Sequence, residues 1–155
     1  MTFKNRKQQG FTLVELLIVV IILGILAAVV IPQFNTAAGE SKEAALASNL
    51  ATVRQAIEMY KVQHDDAFPS GANNLEALTS ATDIDGTINA AGLYGPYLRN
   101  SFPKNPIDAT AAVSAVDPMP GAPDGNGGWI YDTGTGEFRA NVANAGPSGI
   151  DYFDL

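Results

Sequence analysis

Few side chains in this sequence can do chemistry, and their spacing argues against catalysis. His64 is the single histidine and there is no cysteine, so a zinc site lacks most of its usual nitrogen and sulfur donors. His64 precedes Asp65 and Asp66 at the end of a helix-compatible stretch, where a cation suits the dipole, so it is expected to close a helix. Asp83-Ile84-Asp85-Gly86 and Asp124-Gly125-Asn126-Gly127-Gly128 place oxygen donors beside glycines. Neither supplies the alternating acids and final glutamate of an EF-hand loop. Solvated turns are expected there, with calcium as the alternative and no other cofactor indicated. Gly134 and Gly136 precede no lysine and serine of a phosphate loop, and no serine or threonine stands in a nucleophile elbow. No catalytic residue is assigned, and the chain is read as not an enzyme.

The acid with a distinctive setting is Glu15. Between Leu13 and Ile31 lie 19 residues carrying this one charge, and the run ends at Pro32. About 20 apolar residues in a helix reach across a bilayer core. A carboxylate near one end of such a helix is unfavourable unless it has a role. Lys4, Arg6 and Lys7 precede the run, which favours a cytoplasmic amino terminus. An ordinary secretory signal with cleavage near Thr36-Ala37-Ala38 would need a shorter apolar core, and it leaves Gln9-Gly10 unexplained.

The charge is unevenly placed. The chain carries net −7; without the three leading basic residues, six basic against sixteen acidic side chains leave 6 − 16 = −10. So acidic a body lacks the clustered Lys and Arg that bind phosphate backbones, so nucleic acid is not expected as a main partner.

From residue 35 to 64 the sequence stays helix-compatible. Leu46, Leu50, Val53, Ile57 and Tyr60 recur at helical spacing as one apolar stripe, expected to dock on a small domain. Ala37, Ser41, Ala44, Ser48 and Ala51 form a small-residue face on another side, while Glu40, Lys42, Glu43, Arg54, Glu58 and Lys61 are expected as solvated charges or contacts between subunits. A single helix over residues 11–64 would be a rod of about 80 Å. Beyond it, Asp65 to Gly71 breaks the helix, and residues 73–79 are expected as a short second helix capped by Asn73 or Asn74. Residues 83–93 and 108–127 are read as loops, and Phe102-Pro103-Lys104-Asn105-Pro106 as a segment crossing the long helix. Gly128-Trp129-Ile130-Tyr131-Asp132 and Glu137-Phe138-Arg139-Ala140-Asn141 flank Thr133-Gly134-Thr135-Gly136, the pattern of a β-hairpin. Trp129, Tyr131 and Phe138 are expected in the core.

The stretch Lys7-Gln8-Gln9-Gly10-Phe11-Thr12-Leu13-Val14-Glu15-Leu16-Leu17 resembles the class III signal sequence of type IV pilins and type II secretion pseudopilins. The resemblance implies cleavage between Gly10 and Phe11 by a membrane-embedded prepilin peptidase and N-methylation of Phe11. It also implies that the apolar segment is retained, and that Glu15 pairs with the amino terminus of a neighbouring subunit as a register pin. Gly24 and Pro32 match positions where the helix loosens in a filament. Phe68-Pro69, Leu75-Glu76-Ala77-Leu78, Gly95-Pro96-Tyr97-Leu98 and Pro103-Lys104-Asn105-Pro106 follow in an order similar to major pseudopilins. Ser148 to Leu155 departs from the calcium loop of that group.

The fold class implied is α+β, a pilin fold: a long N-terminal helix, half transmembrane and half amphipathic, packed on a small antiparallel sheet. The divisions are a leader at 1–10, a transmembrane and assembly segment at 11–34, an amphipathic half at 35–64, and a small globular domain at 65–155. The implied function is a filament subunit, a type II secretion pseudopilin of a periplasmic pseudopilus for protein export. Its partners would be further copies of itself, the prepilin peptidase, an inner-membrane assembly platform and the lipid bilayer. It would be held single-pass in a bacterial inner membrane, amino terminus in the cytoplasm and globular domain in the periplasm. A type IV pilin of a surface fibre for adhesion, motility or DNA uptake is the alternative within this class. A monomeric membrane-anchored binding module is the alternative outside it.

Overall fold

A computed structural model describes residues 10–99 and 101–155; the basic leader read from residues 1–9 lies outside the described residues. The chain divides into two compact units, the first ending at Ala37 and the second running Ala38–Leu155. Helix α1, Leu13–Gln63, contributes to both.

In the first unit every described side chain from residue 10 to residue 30 is exposed. Leu13–Val30 is long and apolar enough to cross a membrane. Gly24 and Pro32 both lie within α1. A Cβ built on Gly24 would meet no atom within 4 Å, so nothing in its own chain requires glycine there.

The second unit, the head, is organised by the stripe read from the sequence. Leu46, Leu50, Val53, Ile57 and Tyr60 are all buried, with Trp129, Tyr131 and Phe138 against them in one core. The small-residue positions Ala37, Ser41, Ala44, Ser48 and Ala51 are exposed. Helix α1 ends at Gln63, and Asp65 and Asp66 turn the chain in the left-handed region. The Asp66 amide donates to the Lys61 carbonyl, which closes the last turn. The segment around Pro103 crosses α1 as expected, with Asn49 donating to the Lys104 carbonyl.

Strands β2 (Trp129–Asp132) and β3 (Phe138–Ala140) form the expected antiparallel hairpin, with Tyr131 opposite Phe138. Gly136 lies at φ +76°, and a Cβ there would strike the Phe68 ring, so the turn needs glycine for both conformation and space. Residues 108–127 are not all loop. Val113–Val116 forms β1 and pairs parallel with β2, so the sheet is mixed, in the order β1-β2-β3, within the α+β class. Only two valines mark β1 and none of its residues is fully buried, so the usual alternation is missing from its sequence.

The second helix is also shorter than read. A 3-10 turn, Ala72–Asn74, and helix α2, Glu76–Thr79, flank Leu75, which is left-handed and fully buried. Asn74 caps neither: its side-chain oxygen accepts the Val113 amide and pins β1. Arg54, read as a surface charge, is part-buried and donates to the Phe138 and Leu155 carbonyl oxygens.

Two aspartates tie the loop between β1 and β2. Asp124 accepts from Ser114, Asn141 and the Asn126 amide. Burial pushes its carboxyl up, but these bonds together outweigh it and hold the group below the usual range. Asp132 accepts from the amides of Thr135, Met119 and Gly134, and these likewise hold it low, the Thr135 amide foremost. A depressed carboxylate contributes stability above its unfolded pKa and loses that contribution as pH falls through the folded value. The thermal midpoint of the head, followed by circular dichroism, should therefore hold from neutral pH to about pH 5 and fall below about pH 4. Asn141→Ala should flatten part of that fall.

Candidate processing and assembly site

Helix α1 begins with its own cap. Thr12 precedes the first helical residue, and its hydroxyl accepts the Glu15 amide at 3.2 Å. In return the Glu15 carboxylate accepts the Thr12 amide and hydroxyl, both at 2.8 Å and both on Oε2. This is a reciprocal capping box, which satisfies amides that a helix start otherwise leaves unpaired. The signal was present in the sequence as Thr12-Leu13-Val14-Glu15, a threonine with glutamate three residues on, and the sequence reading passed over it. An acid in the first turn also suits the helix dipole.

The box fixes where the acid sits. Its carboxylate is held against the amide that joins Phe11 to Thr12, one residue from the Phe11 nitrogen and two from Gly10. Phe11 is 80 % exposed and Gly10 has open space around it. The residues expected to be processed thus lie beside the cap and the single acid, within residues 10–15.

The other candidates fall away from any shared site. His64 stands directly after the last residue of α1, as expected, but it is not a surface group. It is buried 18 residues from Thr82 in sequence, with Nδ1 at 2.8 Å from the Tyr60 carbonyl and Nε2 at 2.9 Å from the Thr82 hydroxyl. A carbonyl only accepts, so Nδ1 carries a hydrogen. The ring stacks on Tyr60 at 3.7 Å. It serves as a bracket between α1 and the Thr82 turn. Asp83 and Asp85 are consumed in turn bonds with Asn89 and the Thr87 amide. Among the described residues no three His, Cys, Asp or Glu side chains gather as metal ligands would.

A helix apolar and exposed at one end, amphipathic at the other and docked there on a small α+β head defines a prepilin-type subunit. Residues 5–31 match the prokaryotic N-terminal methylation motif, and residues 33–115, more than half of the chain, match type II secretion system (T2SS), protein G. The chain belongs to the type II secretion system protein G family. It is similar to the type II secretion system core protein G of Pseudomonas aeruginosa, 41% identical over 48% of this chain and 52% of that one. The Vibrio cholerae protein of the same description is 36% identical over 50% and 52%. The chain spans about half the length of these curated relatives. The type IV major fimbrial protein FimA of Dichelobacter nodosus is 34% identical over 74% of this chain and 78% of its own. No solved structure matches the chain.

The capping box carries a direct expectation. Thr12→Ala should weaken the first turn by about 1 kcal/mol, seen as faster amide exchange at residues 13–16 in detergent micelles, with the head's exchange unchanged. Equal exchange in both proteins would show the box contributes nothing there.

Proposed function

We propose that this chain is a pseudopilin of a type II secretion system, made as a precursor, cut between Gly10 and Phe11 and methylated on Phe11. The role is mechanical, not catalytic: copies leave the membrane and pack their apolar helices into a periplasmic filament that supports protein export. The observation that carries this is the 18-residue apolar segment Leu13–Val30, none of it buried in its own chain, headed by a single acid in a matched methylation motif. Lipid or further copies of the same segment are the coverings its chemistry accepts.

Before assembly the segment spans the inner membrane, with Lys4, Arg6 and Lys7 on the cytoplasmic side and the acidic head in the periplasm. The prepilin peptidase and an inner-membrane assembly platform are the implied partners. In the filament Glu15 meets the amine of a neighbouring Phe11. A carboxylate taken out of water is stabilised by a cation and strongly destabilising without one, so Glu15 favours the stagger that supplies the amine. Gly24 and Pro32 are where α1 loosens on assembly, since both residues weaken a helix. The similarity to a fimbrial protein, 34% identical over 74% of this chain, supports as second reading a type IV pilin of a surface fibre. A monomeric anchored module would keep its leader.

Intact mass measured on protein from cells should correspond to a chain beginning at Phe11 with one added methyl group; a mass retaining residues 1–10 would refute the filament reading. Glu15→Leu should insert in the membrane at normal levels yet yield no filaments, and normal filaments would remove the register role.

For metals, we propose that the head folds without calcium, because the carboxylates of Asp124 and Asp132 are already engaged by amide and hydroxyl donors. Chelation with EDTA should leave the thermal midpoint of the head within about 1 °C, since a bound ion at a hundredfold its Kd would add about 2.7 kcal/mol. A drop of several degrees would overturn this.

A further inference from the structure

We propose a contact between copies in which the loop carrying Leu93 seats in an acidic-rimmed recess of a second copy; this rests on the filament reading above. Leu93 is 89 % exposed, the highest among the large apolar side chains described. It stands in a stretch without charge, residues 86–98, followed by the exposed Arg99. In a body of net −10 this is an approach route toward another acidic surface without like charges in the way.

The recess lies elsewhere on the head. Ala44, Ala47, Pro147 and Leu155 wall it, and Glu40 and Glu43 stand at its edge, around a volume of about 420 Å³. Glu43 is anchored by the Ser148 amide at 3.2 Å. The Leu93 loop rests beside Thr52, Gln55, Met59 and Gln63 of α1, whereas the recess uses residues 40–47. Helical geometry separates the two sites by about 20 Å along α1 and about a third of a turn around it. Leu93 therefore cannot fill the recess of its own chain. Two different surfaces meeting at different heights make a heterologous contact, the kind that propagates as an open filament when the rotation between copies does not close a ring. Uncharged leucine entering between alanines and proline, with Arg99 trailing toward Glu40 and Glu43, satisfies both the apolar and the charged parts of the surface.

The chain has no cysteine, so engineered thiols report without background. Filaments of the double variant Leu93→Cys/Ala47→Cys, exposed to a mild oxidant, should give a denaturing-gel ladder extending through trimers and beyond, while either single variant stops at dimers. Filaments that form and give no ladder would overturn the contact. If the unaltered chain makes no filaments at all, the filament reading falls and the contact with it. As a second arm, Leu93→Lys should assemble about tenfold better than Leu93→Glu, with equal thermal midpoints for the two heads. Equal assembly of both would show that the rim acids do not face this loop.

Discussion

Everything in this protein answers to one constraint: an apolar helical segment that its own chain does not cover. Leu13–Val30 exposes every side chain, and burying such residues is the largest favourable term available to a polypeptide. A soluble monomer has no way to satisfy it. A bilayer does so for one copy, and other copies of the segment do so in an assembly. The helix start sharpens the point, because the single acid of the segment is not left unpaired but closes a capping box with Thr12. Both carboxylate bonds of the box fall on Oε2, so in the proposed assembly Oε1 can accept a neighbour's amine while the box stays closed.

The head follows from the other half of α1. One face of the helix is a mould on which the sheet, the Pro103 segment and the C-terminal turn are cast, and Arg54 ties β3 and Leu155 back to it. The opposite face keeps small side chains exposed. The division between faces lets a small domain be stable while leaving a smooth surface along the helix.

Much of this was legible in the sequence, and the omissions have physical causes. The stripe from Leu46 to Tyr60 is strictly periodic, and its burial follows. The hairpin is written in aromatic strands around a glycine turn, and Gly136 has the positive φ such a turn uses. Strand β1 was not legible, because a parallel partner is set by residues distant in sequence and its side chains are only partly covered. The place of His64 at the helix end was legible, but its burial was not, for a related reason: its partner Thr82 belongs to a turn whose approach to α1 no local pattern announces. Asn105 is fully buried and holds the Gly128 carbonyl at 2.6 Å, another long-range bond inside a segment read only for its prolines. At the candidate site the motif itself was plain, and the Thr12-to-Glu15 spacing that closes the box lies within it.

The central claim is that the apolar segment is covered by other copies, with Glu15 paired across the contact. The most direct measurement is a reconstruction of the assembled filament by electron cryomicroscopy at side-chain resolution. The account predicts the Leu13–Val30 segments packed together at the filament axis, with each Glu15 carboxylate at hydrogen-bond distance from the Phe11 nitrogen of an adjacent subunit. Subunits joined through their heads alone, with the apolar segments apart and no Phe11 nitrogen of a neighbour within reach of Glu15, would contradict it.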